Sequence, residues 1–307
     1  MKKRKMMFCC LFLLIAMLST AAVNNVSATK VFISYGTTQY LTDMGGSGEL
    51  SVSGDVSSYI KNLFDSAGYT NFFDFWGTRD QQTQPNTVYN YAEWATRFRD
   101  TTVILYKGHS LPVTCPISCG NDHYGVYDCE GYNITGGETI KDYEIYNKIY
   151  DEGYGSHDFV FLWTCGAGDP SRLGSTSGSH GWGMCASWMG INNAATSLSD
   201  DGYDDPDGND RCFIGFDYLS IWYTNSTNYS NWNYGHFIYY FYMHALQQYW
   251  TINMALDAAS ELTHGDDVLY EDTPLYGGYS IWDPRETPPV SVDSAMHVWG
   301  DGNLTIR

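Results

Sequence analysis

The apolar positions of this chain fall into short continuous runs, separated by polar and glycine-rich stretches. The runs at 103–106 and 159–163 contain no charged residue, which is typical of strands buried on both faces of a parallel sheet. A strand is predicted wherever such a run is bounded by glycine or polar residues. The predicted strands are Lys30 to Tyr35, Asn71 to Trp76, Thr102 to Tyr106, Phe159 to Trp163, Cys212 to Phe216, and either His297 to Trp299 or Leu304 to Ile306.

Between these strands, apolar residues recur at the three- and four-residue spacing of a helix face. The predicted helices are Val56 to Ala67, Pro85 to Arg99, Ile140 to Tyr150 and, as one long helix or two, Phe237 to Leu262. Gly108 to Gly137 and residues 166–209 are predicted as long loops. The alternation of strands and helices predicts one α/β domain over residues 29–307, with a mainly parallel sheet and helices on both faces.

The first 28 residues have the pattern of a secretory signal. Lys2 to Lys5 are basic, Met6 to Met17 are almost entirely apolar, and Val26 to Ala28 offer a small-residue cleavage site. The sequence therefore predicts that the mature protein begins near Thr29. It also predicts that the protein is secreted, to the extracellular space or the cell surface.

Composition excludes several classes of protein. With 43% hydrophobic and only 17% charged residues, most of the chain cannot be intrinsically disordered. The formal net charge of −19 argues against nucleic-acid binding through a basic face. Outside the signal no apolar run is long enough to cross a membrane, so no membrane span is expected after signal removal.

Two predicted strands run directly into reactive side chains. His109 follows the third strand, and Cys165 follows the fourth. Ligands of open α/β sheets bind at the carboxyl ends of the strands, so these two side chains are expected to share one edge. A thiol next to an imidazole is a nucleophile and base pair. The predicted site residues are Cys165 as nucleophile, His109 as base, and Gly108, Ser110 and Gly166 around the oxyanion.

The same stretches resemble the caspase-like cysteine peptidases, the clan that holds caspases, metacaspases, legumains, clostripain and gingipains. In that clan one apolar strand ends in His-Gly and a later one in Cys, and Tyr-Lys-Gly-His-Ser (106–110) and Trp-Thr-Cys-Gly-Ala-Gly (163–168) are similar to these signatures. Cys-Phe-Ile-Gly-Phe (212–216) and Trp-Gly-Asp-Gly-Asn-Leu (299–304) resemble later elements of the gingipain-like branch. The resemblance covers residues 30–307 in order of elements. It implies a caspase-like three-layer sandwich and a cysteine endopeptidase that cleaves peptide or protein substrates.

Two positions depart from the clan's pattern. Ser110 stands where the clan has glycine after the histidine. Trp163 stands where metacaspases carry an aspartate that helps to select basic residues, so a preference for arginine or lysine does not carry over. An inactive relative therefore stays open, as a noncatalytic extracellular binding or adhesion module on the same fold.

The sequence also offers two other pairs of nucleophile and base. Gly-His-Ser-Leu-Pro (108–112) keeps part of the nucleophile elbow of serine hydrolases, with Ser110 as nucleophile and His297 as base. Pro112 argues against the helix that the elbow requires. His297 after Cys165 also has a papain-like order, but Gly166 and Gly168 argue against the helix that would have to follow the cysteine.

Six cysteines remain after the signal. Cys115, Cys119, His123 and Cys129 form a possible zinc set, but export favours a disulfide that staples this loop. Cys185 and Cys212 form a second candidate disulfide.

An acidic stretch near residue 205 suggests a bound cation. Carboxylates clustered between glycines can wrap calcium, although the stretch does not fit an EF-hand register. The predicted calcium ligands are Asp201, Asp205, Asp207 and Asp210. The alternative is a solvated acidic loop.

Sequons for N-glycosylation stand at Asn25, which leaves with the signal, and at Asn133, Asn225, Asn228 and Asn303.

Overall fold

The fold is described from a computed structural model. The described residues are 30–35, 38–69, 71–75, 102–108, 110–114, 122–127, 139–147, 158–169, 183–189, 211–227, 229, 231–265, 275, 279–283 and 288–306. The predicted signal segment and the predicted helix from Pro85 to Arg99 lie outside them.

Eleven strands and five helices occur in this part of the chain. The strands are β1 (Lys30–Tyr35), β2 (Asn71–Phe75), β3 (Thr102–Lys107), β4 (Ser110–Thr114), β5 (Asp122–Tyr127), β6 (Thr139–Lys141), β7 (Phe159–Trp163), β8 (Cys212–Phe216), β9 (Tyr279–Asp283), β10 (Val290–Ser294) and β11 (Met296–Gly300). The helices are α1 (Thr38–Ser66), α2 (Asp142–Tyr146), α3 (Gly183–Met189), α4 (Tyr234–Gln247) and α5 (Ile252–His264).

Six strands form the central sheet in the order β11-β8-β7-β3-β1-β2. Neighbouring strands are parallel, except that β11 runs antiparallel to β8 at one edge. The prediction of a mainly parallel α/β sheet is confirmed. Of the two candidates for the last strand, the sheet contains Met296–Gly300, whereas Leu304 to Ile306 form no strand.

Aromatic packing explains why the central strands are continuous apolar runs. Every residue of β7 and of β8 is buried. On one face of the sheet, Trp163 stacks edge-on against Phe216 and Tyr223, with ring centroids 5.0 Å apart in each case. Phe159 and Phe161 contact Phe241 of α4 on the same face. Helices α1, α4 and α5 cover this face with one continuous apolar core.

The long predicted helix near the C-terminus is two helices, each with its own cap. Asn233 caps α4 by accepting a hydrogen bond from the amide of His236, and Thr251 caps α5 by accepting one from Met254. Gly265 ends α5 in the left-handed conformation, with φ of 77°. In the described ranges, no helix is both long enough and apolar enough to cross a membrane.

The opposite face of the sheet is covered by short elements, most of which the sequence did not predict. The loop expected from Gly108 to Gly137 contains β4 and β5, which pair antiparallel and are joined by β6. The helix expected from Ile140 to Tyr150 begins only at Asp142, because Thr139–Lys141 belong to β6, and the last three residues of the prediction lie outside the described residues. The stretch 166–209, also expected as a loop, contains the fully buried helix α3.

One buried carboxylate explains why these short elements are ordered. Asp142 accepts hydrogen bonds from the backbone amides of Tyr124, Tyr143 and Gly183, which belong to β5, α2 and α3. It also pairs with His123 at 2.7 Å. These contacts are tertiary, so no periodicity in the local sequence announces the elements that they join.

Gly168 and Gly215 let β7 and β8 approach closely at their ends. A Cβ on Gly168 would lie 2.7 Å from the carbonyl carbon of Gly215, which is backbone and cannot move aside. We expect Gly168→Ala to lower the free energy of unfolding by about 1–3 kcal/mol, measured by urea titration. Gly48→Ala is the control, because a Cβ at Gly48 would meet nothing closer than 4.0 Å. This substitution should raise the free energy of unfolding by about 0.5–1 kcal/mol. Equal effects of the two substitutions would contradict this packing argument.

Candidate active site

The carboxyl ends of β3, β7 and β8 meet at one edge of the central sheet. Lys107 is in register with Trp163, and the amide of Gly108 continues the pairing by donating to the carbonyl of Trp163 at 3.3 Å. The residues that follow β3 therefore start beside those that follow β7. Cys165 lies there in a tight turn and is partly exposed. The predicted base, His109, lies outside the described residues, between Gly108 and Ser110, which are both described.

Ser110 connects the two strand ends directly. Its side chain is buried, and its hydroxyl donates a hydrogen bond to the carbonyl of Cys165. The chain continues from Ser110 into β4 and not into a helix. The nucleophile elbow of a serine hydrolase is therefore absent here, and the Ser110 hydroxyl positions the turn that carries Cys165.

The sulfur of Cys165 has a hydrogen-bonding neighbour that the sequence did not reveal. The amide of Ser220 points at Sγ at 3.4 Å, and the Ser220 hydroxyl lies 3.6 Å from the same atom. A backbone N–H directed at the sulfur can donate a hydrogen bond to it and so helps to fix the position of Sγ. Ser220 follows β8 in the chain, so only the parallel pairing of β7 and β8 brings it to the thiol.

The segment that carries Ser220, residues 217–224, is held in place on both sides. The amide of Gly166 donates to the carbonyl of Tyr218 at 2.7 Å, and the indole N–H of Trp163 donates to the carbonyl of Ile221 at 2.7 Å. Gly166 follows Cys165 directly in the chain, and Trp163 is the last residue of β7, the strand that leads to Cys165. The position of Ser220 relative to Sγ is thus fixed by the strand that carries Cys165.

These hydrogen bonds revise the predicted oxyanion donors. The amides of Gly108 and Gly166 already donate to the carbonyls of Trp163 and Tyr218, so neither is directed at a substrate in this arrangement. Gly166 instead serves the turn. Its φ is +64°, and the ring of Tyr124 occupies the place where a Cβ would be. Of the predicted set, the backbone amide of Ser110 remains a candidate oxyanion donor, and the amide of Cys165 itself is a second candidate.

A buried ion pair anchors the same segment from the other side. Lys107, the last residue of β3, pairs with Glu49 of α1 at 2.8 Å, and the two side chains are 4% and 0% exposed. Glu49 also accepts hydrogen bonds from the amides of Tyr223 and Thr224. Burial alone would raise the pKa of Glu49, but the Lys107 ammonium and these amides outweigh it and hold the pKa below its ordinary value.

The Lys107 ammonium also lies over two aromatic rings of the segment. It is 4.5 Å from the ring centroid of Tyr223 and 5.0 Å from that of Trp222. The signal for this arrangement was present in the sequence as a lysine that ends an apolar strand, since a buried lysine requires a carboxylate partner. The sequence did not identify Glu49 as that partner.

His297, the alternative base, is engaged elsewhere on the edge strand β11. Its Nε2 lies 3.4 Å from Asp217, and its ring stacks on Trp299. Burial alone would raise the pKa of Asp217, but hydrogen bonds from His297, the Ala295 amide and Ser294 hold it below its ordinary value. The contact between His297 and Asp217 therefore ties β11 to the end of β8.

The cysteine and metal predictions have different outcomes. No disulfide joins Cys185 and Cys212, so the candidate pair is not formed. The Cys185 thiol donates to the sulfur of Met189 instead, at 3.7 Å.

His123, a member of the possible zinc set, is buried against Asp142. The other members of the possible zinc set, and all the predicted calcium ligands, lie outside the described residues: Cys115, Cys119, Cys129, Asp201, Asp205, Asp207 and Asp210. Within the described ranges, no group of three or more metal-ligating side chains is found.

The contact between Ser220 and Cys165 makes a prediction about thiol reactivity. Ser220→Ala removes the hydroxyl but keeps the amide, so we expect alkylation of Cys165 by iodoacetamide to slow about fivefold, the equivalent of one hydrogen bond. The rate is read from the mass of the peptide that contains Cys165. Ser58→Ala, an exposed serine on α1, is the control and should leave the rate unchanged. Equal rates for Ser220→Ala and the wild type would show that the hydroxyl does not act on the sulfur.

Comparison with known proteins adds no relative to this description. No protein-family model, no curated protein and no solved structure matches the chain. Its function therefore has to be argued from the sequence motifs and from the geometry around Cys165.

Proposed function

We propose that this protein is a secreted cysteine endopeptidase with a caspase-like fold, in which Cys165 is the nucleophile and His109 the general base. The observation that carries the proposal is the environment of Cys165. The thiol is partly exposed at the carboxyl edge of a parallel sheet, and a backbone amide is directed at its sulfur. A structural cysteine has no need of either feature.

The proposed reaction uses groups from two neighbouring strand ends. The thiolate of Cys165 attacks the carbonyl carbon of the scissile peptide, and the amides of Cys165 and Ser110 stabilise the oxyanion. The C–N bond breaks as His109 gives its proton to the leaving amine, which leaves a thioester on Cys165. Water then attacks the thioester and gives a proton to His109. The acid product departs, and the thiolate is restored.

The Ser110 hydroxyl supports this reaction by positioning. Because it donates to the carbonyl of Cys165, it holds the nucleophile turn against the strand end from which His109 follows. Serine in place of the clan's glycine is therefore compatible with a working site, since its amide is retained and its hydroxyl has a partner.

The experiment that tests the proposal is cleavage of a mixed peptide library by the mature protein and by Cys165→Ala, with products read by mass spectrometry. We expect cleavage by the wild type and none by the variant, and the products then give the side-chain preference. Cleavage retained in Cys165→Ala would overturn the assignment of the nucleophile. The same cleavage reactions are repeated with added calcium, to test the predicted calcium ligands Asp201, Asp205, Asp207 and Asp210. Absence of cleavage in every arm would favour the noncatalytic binding module.

A further inference from the structure

A groove of about 390 Å³ lies between helices α1 and α4, and no step of the proposed reaction uses it. Its floor is formed by Val52 and Val56 of α1 and by Gly235 of α4. The helices approach closely there, because a Cβ on Gly235 would lie 2.9 Å from Val52. The volume is in the range of small-ligand sites, and the rim carries tyrosines from both helices.

The tyrosine rings line the groove at steep angles to one another. Tyr59 of α1 is 59% exposed and lies at 70° to Tyr239 of α4, with ring centroids 6.0 Å apart. Tyr240 lies at 63° to Tyr239, at 5.4 Å. Trp232 stacks on the Tyr240 ring at 5.0 Å and so supports this wall from behind. Rings at such angles enclose a rounded group, whereas a sugar-binding platform presents one flat aromatic face.

The polar groups of the groove favour a positive ligand. Asp55 supplies a carboxylate to the lining, has no ion-pair partner within the described part of the chain, and is exposed. None of the described lining residues is lysine or arginine, and the histidine of the lining, His236, accepts a hydrogen bond from the Asn233 amide at Nδ1. The whole chain carries a net charge of −19, which also attracts cations.

An anionic ligand is disfavoured by the state of the α4 N-terminus beside the groove. The amides of its first turn are already satisfied. Tyr234 donates to the carbonyl of Asn225, Gly235 to that of Tyr223, and His236 to the side chain of Asn233. No backbone donor of this turn is directed into the groove, so the usual attraction of a helix N-terminus for anions is not available.

We propose that this groove binds an organic cation of the alkylammonium class, held between the faces of Tyr59, Tyr239 and Tyr240 and paired with Asp55. Aromatic faces attract such cations through their quadrupole, and a carboxylate at the rim adds a charge interaction. The ammonium group can belong to a free quaternary amine or to a lysine side chain of a peptide. The proposal does not depend on the peptidase function.

The test compares two probes that differ only in charge, choline and its neutral isostere 3,3-dimethyl-1-butanol, titrated into the full mature protein and followed by ligand-observed NMR. We expect choline to bind and the alcohol not to bind. Asp55→Asn and Tyr59→Ala should each weaken choline binding about three- to tenfold. Tyr249→Ala, an equally large and 52% exposed tyrosine outside the groove, is the control and should leave binding unchanged.

Further titrations distinguish a lysine side chain from a free quaternary amine as the source of the cation, and a cation from a sugar as the ligand. Tighter binding of N-acetyl-lysine methylamide than of choline would identify a peptide side chain as the source, and the reverse would identify a free quaternary amine. Equal binding of choline and its neutral isostere, no binding of any cation, or binding of maltose that Tyr59→Ala abolishes would each overturn the proposal. Unchanged choline affinity in both groove variants would do so as well.

Discussion

Cys165→Ala is expected to lower peptide hydrolysis by about a thousandfold or more, because in the proposed mechanism the substitution removes the atom that forms the covalent intermediate. Loss of activity without loss of structure is the informative result. Cys165 is partly exposed, so alanine at this position leaves little buried volume unfilled. We therefore expect the thermal unfolding midpoint of the variant to stay within about 2 °C of the wild type.

Two further variants separate the cysteine mechanism from the serine alternative. Cys165→Ser keeps the size and a hydroxyl near Ser220, but a neutral hydroxyl is a far weaker nucleophile, and activity should fall nearly as far as in the alanine variant. Ser110→Ala keeps the backbone amide and loses only the hydrogen bond to the Cys165 carbonyl. Its activity should stay within about tenfold of the wild type. Complete loss in Ser110→Ala with full activity in Cys165→Ala would reverse the two roles.

Glu49→Gln is expected to have the largest effect on stability. It leaves the Lys107 ammonium buried without a carboxylate, and breaking a buried ion pair in this way costs about 3–5 kcal/mol of the free energy of unfolding. Urea titration measures the loss. A second substitution, Lys107→Met, removes the unpaired charge and should recover part of it.

The control for this prediction is an ion pair of the same type on the surface. Lys141 and Glu144 lie 3.3 Å apart with side chains 30% and 33% exposed. Glu144→Gln should therefore change stability by no more than about 1 kcal/mol. If the two glutamine variants are equally stable, the burial of the Glu49–Lys107 pair is not what stabilises this edge of the sheet.

The same pair predicts a pH dependence of stability. The folded-state pKa of Glu49 lies below its ordinary value of 4.5, so its contribution is complete above that value and is lost as the pH falls through the folded pKa. The stability difference between the wild type and Glu49→Gln should thus be constant near neutral pH and shrink in acid. A difference that grows as the pH falls would contradict the direction of this pKa shift.

The central sheet could be predicted because its strands are buried on both faces. Phe159–Trp163 and Cys212–Phe216 must be apolar throughout, and such runs are visible without any knowledge of their partners. The position of Cys165 follows from the same signal, since a residue that ends a parallel strand lies at the edge where ligands bind.

The rest depends on contacts between distant parts of the chain. Strands β4 to β6 and helix α3 are only three to seven residues long, and they are ordered by the carboxylate of Asp142 and by packing on the sheet. Ser220 reaches the sulfur of Cys165 only because β8 lies beside β7, and Glu49 reaches Lys107 only because α1 packs near the end of β3. No local pattern encodes such pairs.

The most direct test of the central claim needs no substrate. The rate of Cys165 alkylation by iodoacetamide is measured at pH 6 and at pH 8, in the folded protein and in the chain unfolded by urea, and followed through the peptide that contains Cys165. An activated nucleophile predicts that the folded protein reacts at least about tenfold faster than the unfolded chain at the same pH. A folded protein that reacts no faster than the unfolded chain at pH 6 would contradict the assignment of Cys165 as the nucleophile.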